Sequence, residues 1–267
     1  MVLSRRYAQK GILLIFMSTT QNNQTLIDRL FSAGAHFGFS KSRRHPSMKP
    51  FLFGNKQGTD IFDLERSAEL LETAKAAINT LGSEGKTVLF VGTKEEAKVL
   101  VKRYAEEAGA PYVVNRWIGG MLTNFSEIKK RLARLATLTE EGESGELERK
   151  YTKKERVVIG REAEKLMFNF GGIRMLEKQP DALIVVDPRH DQIAIKEAQE
   201  LKLPIFAIMS SDNDASQVTY PVVANDALQA SVDLMLGELT TAYTTGKATY
   251  TPKPTPRTGA RRRPARE

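Results

Sequence analysis

Asn115-Arg116-Trp117-Ile118-Gly119-Gly120-Met121-Leu122-Thr123-Asn124-Phe125 is the stretch on which the reading of this chain turns, and it holds the only tryptophan. Before it, strand patterns alternate with helical ones. After it comes a long charged segment of helical spacing with no strand. Gly119-Gly120 admits backbone angles closed to other residues and the close approach of another surface. Arg116 and Trp117 pair a cation with a flat ring, a combination suited to stacking and phosphate contact. On residue chemistry alone, a turn around a buried tryptophan is the favoured reading. Thr123 or Asn124 is placed to cap the next helix, in which Phe125, Ile128, Leu132 and Leu135 recur at helical spacing.

Upstream, Asp63–Leu81 keeps one apolar face and reads as a helix. Thr87–Val91 is a continuous apolar run, the signature of a strand covered on both faces of a parallel sheet. Gly92-Thr93-Lys94 then opens a helix to Ala108, with Thr93 and Glu96 as a capping box. A single glycine is too few for a phosphate-binding loop, so this turn is read as structural. Tyr112–Val114 is the next strand. Downstream, Ser126–Leu138 and Leu147–Phe168 form two helical arms joined by an acidic turn, Thr139–Glu146. Ile128, Leu132 and Leu135 face Leu147, Tyr151 and Val158 in the expected seam. The arms are basic: Lys129, Lys130, Arg131 and Arg134 on one, Lys153 and Lys154 with further cations on the other. Past a second Gly-Gly at 171–172, strands are expected at Ala182–Val186, Pro204–Met209 and Val218–Val223. Helices are expected at Ile193–Leu201 and Asn225–Tyr243. Five apolar strands with helical connections predict a doubly wound α/β parallel sheet with right-handed crossovers. The domain spans 17–125 and 166–246, and the helical hairpin is inserted at 126–165.

Composition sharpens the functional reading. The 267 residues include no cysteine, which excludes disulfides, cysteine-ligated zinc and a thiol nucleophile. No apolar run is long enough to cross a bilayer. The net charge of +8 is unevenly placed. Residues 247–267 carry +6, residues 1–16 carry +3, and the body between them −1. Pro252, Pro254, Pro256 and Pro264 and the scarcity of apolar residues predict a disordered cationic tail over 247–267, with Arg261, Arg262 and Arg263 suited to a polyanion. Residues 1–16 read as an upstream extension or a misassigned start, since Met17-Ser18-Thr19-Thr20 looks like a natural beginning.

The segment 29–59 carries six cations (Arg29, Lys41, Arg43, Arg44, Lys49, Lys56) and no acid. Phe37, Phe39, Phe51 and Phe53 are interleaved. It reads as a loop ending in a hairpin with strands near Phe51–Phe53 and Thr59–Phe62. The phenylalanines are expected to pack inward and the cations to face a partner. Lys41, Arg43, Arg44 and Lys49 are the expected phosphate contacts.

These motifs, taken in order, resemble a known family. Ala35-His36-Phe37-Gly38, then Arg44 to Gly54, then Gly58 to Leu64, resemble the N-terminal signature of bacterial small ribosomal subunit protein two. Asn115–Phe125 resembles its second signature. Phe170-Gly171-Gly172-Ile173, Pro180-Asp181-Ala182, Val186-Asp187-Pro188, Ala194–Ala198 and Ala224–Ala227 continue the pattern. The resemblance implies a flavodoxin-like sheet with a protruding coiled-coil hairpin. It also implies ribosomal RNA binding at the head–body junction on the back of the small subunit, with small-subunit protein one docking nearby. It implies no catalysis, no cofactor, no small-molecule substrate and no membrane. The cytoplasm is the expected location. His36, Lys56, Arg116, Trp117 and Asn124 join the other cations named above as candidate RNA contacts. The chain departs from the family pattern at Phe39, where a second histidine is usual, and at Arg44-His45, where Trp-Asn is usual.

An open sheet of this kind binds ligands at the C-terminal ends of its strands. Asp187, His190 and Asp212 lie there and have the chemistry to hold a divalent cation, but helix capping and turn chemistry account for them better, and no metal site is assigned. The competing reading is an enzyme binding a nucleotide or phosphosugar on the same sheet. It requires a multi-glycine loop or a paired acid and base, and the sequence has neither.

Overall fold

A computed structural model describes residues 26–251. The 1–16 segment and Arg261–Arg263 of the tail lie outside the described residues. After a helix over 26–32 (α1), a small antiparallel sheet forms from β1 (Phe37–Ser40), β2 (Leu52–Lys56) and β3 (Thr59–Phe62), in the order β1-β3-β2. β2 and β3 are the expected hairpin; β1 was not foreseen. Asp63 then accepts the N–H groups of Glu65 and Arg66 and starts α2 (Leu64–Ser83).

The main sheet follows. Its strands are β4 (Val88–Val91), β5 (Tyr112–Val113), β6 (Ala182–Val186), β7 (Ile205–Met209) and β8 (Tyr220–Val223). All pair in parallel, in the order β5-β4-β6-β7-β8. Counted along this sheet alone, that is the 2-1-3-4-5 order of the flavodoxin-like fold, whose switch point lies between β4 and β6. Every residue of β4, β6 and β7 is buried, as their unbroken apolar runs require.

Two apolar layers sandwich the sheet. On one side α2, α3 (Glu95–Ala108) and α8 (Gln229–Thr249) pack against Val88, Phe90, Ile184 and Phe206. On the other, Trp117, Met121 and Leu122 pack with Leu89, Val91, Leu183 and Val185, as does α7 (Gln192–Glu200) through Ala194, Ile195 and Ala198. α8 runs beyond the expected Tyr243, and its Lys247 Nζ bonds the carbonyls of Ala108 (3.0 Å) and Gly109 (3.4 Å). Lys247 and Thr249 therefore belong to the fold and not to a tail.

α4 (Phe125–Glu143) and α6 (Lys153–Phe170) supply the helical segment between β5 and β6. The expected turn is shorter and partly helical, because a short α5 (Glu146–Lys150) intervenes. α6 starts afresh where the Glu155 carboxylate takes the Thr152 N–H and hydroxyl, both at 2.9 Å. The apolar seam also differs from expectation. Ile128, Leu135, Leu138 and Leu166 are buried, with Leu132, Ile159 and Ala163 packed beside them, whereas Val158 is exposed. Starting α6 at Lys153 sets its phase, and Val158 then falls on the outer face.

Candidate nucleic-acid interface

The opening stretch is organised by one carboxylate. Glu197, on the buried face of α7, is 7% exposed. Its Oε1 accepts Trp117 Nε1–H (3.1 Å) and Gly120 N–H (2.8 Å). Its Oε2 accepts Leu122 N–H (2.9 Å), Thr123 N–H (3.2 Å) and the Thr123 hydroxyl (3.2 Å). Burial alone would raise the Glu197 pKa, but these donors outweigh it and hold the carboxyl below its usual range. Gly120 has φ +85°, the left-handed conformation that the turn requires; Gly119 makes no close approach to another surface. Trp117 is buried in the second core layer, so its ring is not available to stack on a base. Arg116 is exposed beside it. Asn124 stands at the start of α4 and is exposed, but its side chain makes no cap.

At the C-terminal ends of the strands, the charged groups satisfy one another. Lys94 Nζ lies 3.0 Å from Asp187 Oδ2 and 3.2 Å from Asp226 Oδ1. The second contact is an attraction between charges without hydrogen-bond alignment, so both Asp226 oxygens are buried without a hydrogen-bond donor. Burial, with Asp187 adding repulsion and Lys94 opposing, raises the Asp226 pKa to about 7. Asp191 takes the Thr93 N–H (3.1 Å) and hydroxyl (2.7 Å), so Thr93 is not the expected cap of α3, which begins without a side-chain cap.

The small sheet lies over these strand ends. Phe39 N–H donates to Ser211 Oγ (2.8 Å), His45 N–H to the Ser211 carbonyl (2.8 Å), and Ala215 N–H to Ser47 Oγ (3.0 Å). Lys94 Nζ is 5.7 Å from the centre of the Phe39 ring. Asp187 and Asp212 therefore serve ion pairs with Lys94 and with arginines. Among the described residues no group of three or more potential metal ligands gathers.

The cations expected to meet RNA separate into two classes. Arg44 is internal: its Nε donates to Asp60 Oδ2 at 2.7 Å, its Nη2 to Oδ1, and Asp60 is fully buried. The Arg44 guanidinium holds the Asp60 carboxyl below its usual range against the effect of burial. His36 is also internal in character. It stacks on Phe31 (ring centroids 4.6 Å apart) and meets Phe37 at a tilt of 40° (4.0 Å), and burial lowers its pKa, which favours the neutral ring. On α4, Lys130 pairs with Glu127 (2.6 Å) and Arg134 with Glu162 of α6 (3.2 Å), while Lys129 leans toward the Phe125 ring. Arg131, Lys153 and Lys154 are exposed.

Lys41, Lys49 and Lys56 are exposed and have no ion pair among the described residues. They belong to the acid-free segment 41–58, as does Arg43, which pairs with Asp212 from a distant part of the chain. The expected inward packing of the phenylalanines holds for Phe51 alone. Phe53 is 82% exposed on β2, Phe37 is exposed, and Phe39 lies against Arg43 with its ring centre 4.3 Å from Cζ. β2 turns only Leu52 inward, so Phe53 has no core to enter.

Sequence reasoning missed Arg189. A lone arginine after a strand end carries no pattern, and only the fold brings it beside Arg43. It also missed the role of Glu197, although an acid set among Ala194, Ile195 and Ala198 on the apolar face of a helix is a legible signal.

Comparison with known proteins bears on this geometry. A family model described as Ribosomal protein S2 matches residues 30–246. The chain is similar to a protein named small ribosomal subunit protein uS2 from Mesoplasma florum, 41% identical over 219 residues that cover 82% of each chain. It is likewise similar to the protein of that name from Chlorobaculum tepidum, 41% identical over 79% of this chain and 84% of the relative. That from Fusobacterium nucleatum is 40% identical over 82% of this chain and 88% of the relative.

Proposed function

Because the chain belongs to the ribosomal protein S2 family, we propose that it grips ribosomal RNA chiefly through the acid-free segment 41–58 of its N-terminal sheet and adjoining turns. It is a structural constituent of the small ribosomal subunit, acts in the cytoplasm as part of the ribosome, and is not an enzyme. Its partners are ribosomal RNA and neighbouring ribosomal proteins. The enzyme reading is thereby set aside, in keeping with strand ends whose carboxylates are engaged by cations and N–H groups of the same chain.

The observation that carries the reading is the set of exposed lysines in the acid-free segment 41–58. It presents Lys41, Lys49 and Lys56 with no competing acid, and each such cation on a phosphate releases counterions. Arg116 on the pinned central loop, and Arg131, Lys153 and Lys154 on the helical segment, extend the contact. Asn124 is a further exposed polar contact. Lys129, Lys130 and Arg134 contribute once the RNA competes with their present partners. The site at the head–body junction and the docking of small-subunit protein one are supported by the family resemblance and not by the geometry. Arg261, Arg262 and Arg263 are proposed as an added cationic arm on grounds of composition.

The test is a triple variant, Lys41→Ala, Lys49→Ala and Lys56→Ala, in binding to small-subunit ribosomal RNA at several salt concentrations. The slope of log K against log salt is expected to flatten by roughly 2–3, about 0.7–0.9 per cation. In sucrose gradients the tagged wild-type protein travels with small subunits. A variant with the wild-type slope would reject this surface as the contact.

A further inference from the structure

Asp212 is buried to 8% exposure at the end of the loop after β7, and its Oδ2 accepts from two arginines at once. Arg43 Nη2 lies 3.0 Å away and Arg189 Nη1 2.9 Å. The two arginines come from distant parts of the chain, one from the loop after β1 and one from the turn between β6 and α7. Asn213 completes the mount. Its Oδ1 accepts the Arg189 backbone N–H at 2.8 Å, and its Nδ2 donates to Asp212 Oδ1 at 3.3 Å. Arg43 is further held against the Phe39 ring.

Both arginine side chains remain more than half exposed, at 53% and 57%, while the Asp212 side chain between them is 4% exposed. They border a cleft of about 350 Å³, also lined by Arg44, His45, Pro188 and Gln192. One carboxylate for two guanidiniums leaves one positive charge in excess. Arg44 on the cleft wall is paired with the buried Asp60, and the other acid of the wall, Asp214, is turned to the Ser216 N–H and hydroxyl, with His45 at 3.6 Å. Each guanidinium uses one N–H on Asp212 and has others with no acceptor among the described residues.

From this arrangement we infer that Arg43 and Arg189 form a preorganised fork for one RNA phosphodiester, with Asp212 as its positioning residue. The inference rests on the RNA-binding reading above and names a site within it. A phosphodiester carries one negative charge and two non-bridging oxygens, which matches the excess charge and the paired donors. An arginine side chain free in water loses much rotamer entropy on binding, and the shared carboxylate and the Phe39 ring remove that loss beforehand. The Asp212 side chain is far less exposed than either arginine, so an incoming anion meets guanidinium N–H groups more readily than the carboxylate.

The experiment uses the full chain and small-subunit ribosomal RNA. Arg43→Gln with Arg189→Gln is expected to flatten the salt slope by about 0.7–0.9, the share of the single phosphate that the fork neutralises. Asp212→Asn separates positioning from charge. Loss of an acid by itself strengthens RNA binding, whereas release of the fork weakens it; weaker binding with the wild-type slope is expected. Tighter binding of Asp212→Asn, or an unchanged slope in the folded double variant, would overturn the inference. Should the variants fail to fold, the wild-type protein decides the matter by arginine modification with phenylglyoxal. RNA is expected to protect Arg43 and Arg189, and equal labelling with and without RNA overturns the fork. Inorganic phosphate at the same ionic strength serves as the comparison, and protection by it equal to that by RNA would reject a site for the RNA backbone. Wild-type protein that does not bind the RNA at all would instead overturn the broader reading.

Discussion

Glu197→Gln tests how the central stretch is held. The carboxylate takes two N–H donors on each oxygen, and Oε2 takes the Thr123 hydroxyl as well. Glutamine offers one accepting oxygen and an amide that donates. In either orientation, two N–H groups then face another donor in a buried site. An unpaired buried donor costs about 1–3 kcal/mol, and hydrogen bonds to a charged acceptor contribute about 1.5–3 kcal/mol each. Allowing for relaxation and non-additivity, the expected loss is about 3–5 kcal/mol, a large share of the roughly 5–15 kcal/mol that holds a domain. For a chain of this size that lowers Tm by roughly 6–20 °C. The assay is urea and thermal unfolding followed by fluorescence of Trp117, the only tryptophan and itself a donor to Glu197. The pH dependence has a fixed sign. The folded-state pKa is depressed, so the stabilisation is fully present above the unfolded value of about 4.3 and is lost as pH falls through the folded value. The gap between wild type and variant is therefore full at pH 7 and narrows below about pH 4. A variant within ~0.5 kcal/mol of wild type at pH 7, or a gap that ignores pH, would refute the reasoning.

Three further outcomes follow from particular contacts. Arg44→Ala strands the buried Asp60 carboxylate and is expected to cost about 3–5 kcal/mol in chemical denaturation, while Lys41→Ala stays within about 0.5 kcal/mol; equal effects would make Arg44 a surface cation after all. Gly246→Ala places a Cβ 2.1 Å from the Asn79 carbonyl oxygen where α8 crosses α2, so a loss of about 1–3 kcal/mol or more is expected, and a wild-type Tm would disprove the close crossing. Asp226 has a folded pKa raised to about 7, so it binds its proton more tightly when folded, and its contribution favours the folded state at low pH and declines as pH rises from about 4 to 7. Asp226→Asn is expected to remove that decline and to melt above wild type at pH 8, with the difference shrinking toward pH 4; parallel pH profiles would contradict it.

The sequence by itself determined the sheet, because the burial of β4, β6 and β7 on both faces imposes unbroken apolar runs, and such runs are local. It also determined the helical segment after Phe125 and the turn around a buried tryptophan, since period and glycine placement are local as well. β1 escaped notice because it is four residues long, pairs irregularly with β3 and buries none of its residues. Only the tertiary structure decided which cations are free. Arg43 finds Asp212 across 169 residues of chain, Trp117 finds Glu197 across 80, and Lys94 finds both Asp187 and Asp226. A charged side chain looks the same in sequence whether it is exposed to solvent or closes an ion pair. The difference lies in the partner that folding brings within about 3 Å, where desolvation and Coulomb attraction fix its role. For that reason the basic loop was legible as basic, while the division of its arginines between core and surface waited for the fold.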